Sequence, residues 1–208
     1  MNLKKASIIL IIGLVYICIN KIIKGLFPIL TQNDQINSIL TILWIIATLT
    51  IILFIVYFQK EIKPLEIKTL IPLYLIILFT GIIIILRVPF KMQLAYGITK
   101  KILINSSSIL NAASILLFLT SFYKRISNEN LKRSVRMMIW GFIFGLVLGL
   151  IMFSGYLYFA ISSNESKIFS RFQIIAILVF AFTYYTVISF LIKLIKSSIS
   201  EGNFLIKC

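Results

Sequence analysis

Histidine is absent from the 208 residues, and acidic side chains are scarce, six against twenty-one lysines and arginines. Without histidine the chain has no imidazole for general base work, lacks the commonest metal ligand, and has no side chain with an ordinary pKa near neutrality. The single aspartate, Asp34, cannot form the carboxylate cluster with which metal-dependent prenyl or phospholipid transferases hold a cation. All six acids, Asp34, Glu61, Glu66, Glu129, Glu165 and Glu201, fall in connections or in the tail of the sequence. No carboxylate is therefore expected at membrane depth, where a proton-coupled pump carries its proton. Serines are plentiful, but lysine is the only base left that could activate one. These absences point away from an enzyme, and no cofactor or metal is expected. Cys18 and Cys208 stand at opposite ends and form no CxxC pair, so neither a disulfide framework nor a redox motif is readable.

What remains is apolar. Hydrophobic residues make up 60% of the chain and charged residues 13%, against roughly 45–50% and about 25% in an ordinary soluble domain. Runs of about 20 apolar residues fall at 6 to 28, 37 to 58, 69 to 87, 102 to 122, 136 to 160 and 172 to 195. Each is expected to be helical, because backbone polar groups in hydrocarbon have only one another as partners. Period-2 alternation, the mark of a membrane barrel strand, is missing. The fold class is thus all-α, a polytopic helix bundle of six transmembrane helices forming one domain over 1 to 208, with no soluble domain. Pro64, Pro72 and Pro89 are read as lying in or near connections, where they interrupt no helical ladder.

Lys4 and Lys5 followed by Ala6 to Ile19 imitate a secretory signal peptide, but no small-residue cleavage site follows, so the segment is read as a retained first span. The basic residues divide unequally between the two sides of such a bundle. Lys4, Lys5, Lys60, Lys63, Lys68, Lys124, Arg125, Lys132, Arg133, Arg136, Lys193, Lys196 and Lys207 fall on the side of the N-terminus. Lys21, Lys24, Arg87, Lys91, Lys100, Lys101, Lys167 and Arg171 fall on the other. Thirteen against eight places both termini in the cytoplasm of a bacterial cell, with the chain in its inner membrane.

Three features carry the functional expectation. The fourth span has a polar stripe, Ser107, Asn111, Ser114 and Ser121, on about a quarter of its circumference, with Asn105, Ser106 and Ser108 near its start. Such a stripe faces either neighbouring helices or a wet path. Just before it, Arg87, Lys91, Lys100 and Lys101 gather at the outer end, with Thr99 placed to cap the helix; a helix N-terminus flanked by lysines attracts anions, and headgroup anchoring is the plainer reading. The candidate ligand-binding set is therefore Arg87, Lys91, Lys100, Lys101, Ser107, Asn111 and Ser114.

The fifth span carries Gly141, Gly145 and Gly149, a small-residue row expected to let another helix approach closely, within the chain or from a second copy. Lys124, Arg125, Lys132, Arg133 and Arg136 form a basic inner loop over 124 to 136, expected to hold orientation and anionic lipid or to dock a cytoplasmic partner. The expected function is a non-enzymatic binding or translocation subunit for a small anionic or amphipathic ligand. The alternative is a regulatory or sensory membrane protein signalling through a partner at the basic loop. Expected partners are a bilayer with anionic lipids, and a protein partner or a second copy of the chain; nucleic acid is not expected.

Overall fold

The computed structural model describes residues 3–26, 33–61, 67–87, 97–126, 128–162 and 168–200. They form six α-helices, α1 (Leu3–Leu26), α2 (Asp34–Glu61), α3 (Ile67–Arg87), α4 (Gly97–Tyr123), α5 (Glu129–Ser162) and α6 (Ile168–Ser200), and no β-strand among the described residues. Each helix packs on its neighbours in sequence, and α6 closes back on α1, so the contacts form a ring of six. The helices alternate in direction. The start of α1 (Leu3), the ends of α2 (Phe58), α4 (Phe122) and α6 (Leu194), and the start of α5 (Leu131) share one buried cluster. Ile17 of α1, Trp44 of α2 and Ile83 of α3 meet nearer the opposite end.

Five helices are long and apolar enough to cross a membrane. The third has a shorter apolar stretch, Leu70–Leu86, about 25 Å at 1.5 Å per residue against a hydrocarbon core of about 30 Å. The outward faces are apolar on every helix, as at Ile12, Ile46, Leu78, Leu117, Phe144 and Leu178. So many large exposed apolar side chains match a lipid surround and not water.

Local sequence explains where two of the helices begin. Asn33 Oδ1 accepts from the backbone N–H groups of Gln35 and Ile36 at 3.0 and 3.3 Å, capping α2. Asn128 Oδ1 accepts from Leu131 N at 3.2 Å and caps α5. Asp34 and Glu129 then stand in the first turns, where a negative charge favours the helix dipole.

Three sequence expectations need correction. Pro72 lies inside α3 and is buried; having no N–H, it removes the bond that would return to the carbonyl of Lys68. Thr99 does not cap α4, because the helix already begins at Gly97. The basic stretch is mostly helix: α5 starts at Glu129, so Lys132, Arg133 and Arg136 project from it and the connection shrinks to 124–128. The six apolar runs do form helices, and among the described residues five of them meet the length and apolarity of a full span.

Since lipid tails are as apolar as leucine, the ring is held by close packing and hydrogen bonds more than by hydrophobic drive. Among the described glycines the closest approach is at Gly13, between α1 and α2, where an added Cβ would lie 2.9 Å from the carbonyl oxygen of Ala47 and collide with the Thr50 hydroxyl. Asn20 Nδ2 donates to the Leu40 carbonyl at 3.2 Å in the same interface. At the end carrying the start of α1, phenylalanines fill the middle of the ring. Phe58 meets Phe118 and Phe122 edge-on at 5.7 and 5.4 Å, and Phe122 meets Phe190 at 6.4 Å, pairs worth about 0.5–1.5 kcal/mol each beyond their burial.

Candidate functional site

Toward the opposite end the ring is filled where Ile17, Trp44 and Ile83 meet but not on its other side. A cavity of about 400 Å³ opens between α1, α4, α5 and α6, within the few-hundred-Å³ range of small-molecule sites. The glycine row of α5 shows how it arises. An added Cβ at Gly141 would touch Thr183 of α6 at 3.4 Å, at Gly145 only the Thr183 hydroxyl at 4.0 Å, and at Gly149 nothing within 4 Å. The two helices thus diverge along the row, from contact at Gly141 to open space at Gly149. On α4 the facing positions are Asn105, Ser108, Ile109 and Ala112, small or polar residues that leave the space open.

The lining is apolar for the most part, with Phe142, Met152, Phe153 and Phe180 as its larger members. Among the described residues its polar groups are Lys21, Asn105, Ser108 and Thr183, and none of the described lining residues is acidic. Lys21 Nζ stands 3.1 Å above the centroid of the Phe180 ring, an attraction that holds the ammonium at the wall. Ser108 donates to the carbonyl of Ile104 at 2.8 Å, leaving its oxygen able to accept a further bond. The Thr183 hydroxyl lies 2.8 Å from the Val179 carbonyl of its own helix and 3.1 Å from that of Gly141, so its single proton is shared between α6 and the α5–α6 contact.

Of the polar residues singled out on α4, Asn105 and Ser108 line this cavity, whereas the stripe of Ser107, Asn111 and Ser114 lies beside it. Asn111 Nδ2 donates to Thr80 Oγ1 of α3 at 3.2 Å. Ser107 and Ser114, on the same face of α4, are buried, and Ser114 donates to the Leu110 carbonyl at 2.8 Å. None of the three lines the cavity. At about 100° per residue the stripe and the cavity-facing positions lie on nearly opposite faces of the helix. Arg87 ends α3, Lys100 and Lys101 stand in the first turns of α4, and Lys91 lies outside the described residues. Gly145 and Gly149 line the cavity, whereas Gly141 packs on α6.

At the other end of the bundle the basic residues are arranged around one phenol. Arg136 donates to the Tyr123 hydroxyl through Nη2 at 2.6 Å and Nε at 3.2 Å. Lys132 Nζ lies 5.4 Å from the centroid of the same ring and pairs with Glu129 at 3.5 Å. Lys124 and Arg133 are exposed beside them in the sequence.

Three features escaped the sequence reading. Lys21 enters the sequence reading only as one of the basic residues on the side away from the N-terminus, and nothing in the pattern of α1 alone tells that α6 brings Phe180 against it. The lone Gly13 carried no motif. The bond from Lys193 Nζ to Ser134 Oγ at 2.7 Å joins residues fifty-nine apart, with no local signal for it. No family model, curated protein or solved structure matches the chain.

Proposed function

We propose that this chain is a multi-pass membrane protein without catalytic activity of its own, a binding or translocation subunit for a small anionic or amphipathic ligand that works with a partner or as an oligomer. The observation that carries this reading is the apolar cavity with the Lys21 ammonium at its wall. An apolar lining takes a hydrocarbon tail, while one cation and two small polar groups, Asn105 and Ser108, meet an anionic head. Arg87 at the end of α3 and Lys100 and Lys101 in the first turns of α4 add positive charge in the sequence at this end of the bundle, as does Lys91, which lies outside the described residues, and in this reading they draw anions toward the site. In this reading all six helices cross a bacterial inner membrane, α3 by locally thinning the bilayer, and both termini face the cytoplasm. Cys208 is then protected from impermeant thiol reagents added to intact cells carrying Cys18→Ser; ready labelling from outside reverses the topology.

The binding test uses purified protein in neutral lipid nanodiscs with a fluorescent long-chain fatty acid and its uncharged methyl ester. The acid is expected to bind about tenfold more tightly, the size of one charge-assisted hydrogen bond. Lys21→Gln should erase that preference, and Gly149→Leu should weaken both probes by filling the cavity. Equal binding of acid and ester, unchanged by Lys21→Gln, removes the proposal.

A further inference from the structure

The outer surface of α5 pairs cations with aromatic rings in a way the cavity does not use. Lys132, Arg136, Trp140 and Phe144 follow one another at intervals of four residues, which sets them along a single ridge of the helix. Arg136, Trp140 and Phe144 are all exposed. Trp140 and Phe144 face each other with ring centroids 6.2 Å apart, and the ridge continues into exposed apolar residues such as Val147 and Ile151. Its polar end adjoins Tyr123 of α4, whose ring has Lys132 Nζ at 5.4 Å and Arg136 Cζ at 5.6 Å.

From these positions we infer that the Tyr123–Lys132–Arg136 cluster is a specific site for the phosphate headgroup of an anionic phospholipid, whose acyl chain lies along Trp140 and Phe144. The order of the ridge is that of the lipid. Arg136 to Phe144 is eight residues, about 12 Å of helix at 1.5 Å each, a span suited to the upper part of an acyl chain below its headgroup.

The donors match a phosphate. A guanidinium carries five N–H groups, and the Tyr123 hydroxyl engages one on Nε and one on Nη2 of Arg136, leaving three for a ligand. That hydroxyl accepts both bonds from Arg136 and retains its own proton as a further donor. Lys132 adds a second cation at the same ring. Two hydrogen bonds already fix Arg136, so little side-chain freedom is lost when the phosphate arrives. A free phosphate ion would meet the same donors, but it would gain nothing from the exposed rings that extend the site into the bilayer.

The two tryptophans allow a direct reading. Trp44 is buried and Trp140 exposed, so Trp44→Phe leaves Trp140 as the reporter. This chain is reconstituted in phosphatidylcholine vesicles containing a minor fraction of brominated-acyl phosphatidylglycerol or, at equal bromine content, brominated-acyl phosphatidylcholine. Phosphatidylglycerol should quench Trp140 with an apparent affinity about fivefold higher, the effect expected of one basic residue near a membrane surface. Arg136→Gln should bring the ratio close to one, whereas Lys60→Gln, which removes an exposed charge at the same end of the bundle, should leave it unchanged. The inference is overturned if the ratio is one in the parent, survives Arg136→Gln, or falls equally with Lys60→Gln. Loss of the preference on adding millimolar inorganic phosphate would overturn the lipid as occupant. Native mass spectrometry of the unsubstituted chain, counting retained phosphatidylglycerol against phosphatidylcholine with and without Arg136→Gln, gives the same decision should Trp44→Phe fold poorly.

Discussion

Lys193 on α6 donates from Nζ to Ser134 Oγ on α5 at 2.7 Å, and Ser134 passes its own proton to the carbonyl of Asn130 at 3.3 Å. The serine is buried and the lysine half-buried, so an ammonium within an apolar helix is held by a hydroxyl that is already oriented. Ser134→Ala should lower stability in detergent by about 1–2 kcal/mol, because the charged donor loses its acceptor. Adding Lys193→Met should recover part of that loss, since the orphaned charge is then gone. Thermal unfolding of the two single variants and the double variant measures the coupling. Strictly additive losses would mean that the bond contributes nothing.

The glycines separate packing from cavity. Gly13→Ala should destabilise by about 1–3 kcal/mol, the usual cost of overpacking, because its Cβ meets the Ala47 backbone oxygen at 2.9 Å. Gly149→Ala meets nothing within 4 Å and should be neutral, or stabilising by up to about 1 kcal/mol through helix propensity. Melting temperatures that rank the two variants the other way would contradict the described packing.

Asn111 and Thr80 bind α4 to α3 on the side away from the cavity. Asn111→Leu should therefore cost stability, by about 1 kcal/mol for an interhelical hydrogen bond, and leave fatty-acid binding unchanged. A binding loss with unaltered melting would place Asn111 on the ligand path after all.

Charge removal at Lys100 and Lys101 should slow binding of an anionic probe at low salt, with the deficit fading as ionic strength rises. Exposed charges are screened over about 8–10 Å at ordinary ionic strength. Lys21→Gln, acting at the cavity wall, should keep its effect across the same salt series. Stopped-flow association rates distinguish the two; a salt-independent deficit at Lys100 and Lys101 would remove their steering role.

The sequence alone determined that the chain is a set of apolar helices. Hydrocarbon leaves the backbone no other partner, and helix formation needs only residues a few positions apart, so runs of apolar residues suffice to locate α1 to α6. Helix starts were local too: Asn33 and Asn128, each followed by an acid, are capping signals that could have been read from their spacing. The side on which each polar residue is used was not legible, because it depends on which helices become neighbours. Ser107, Asn111 and Ser114 form a stripe in any drawing of α4, yet only the packing of α3 against that face turns it into a helix–helix contact. Gly141, Gly145 and Gly149 look equivalent in sequence, and the divergence of α6 makes the first a contact and the last a cavity wall. Lys21 and Phe180, or Lys193 and Ser134, meet only because the ring closes α6 between α1 and α5. Such meetings are set by the geometry of closure, over distances in sequence that no local pattern spans.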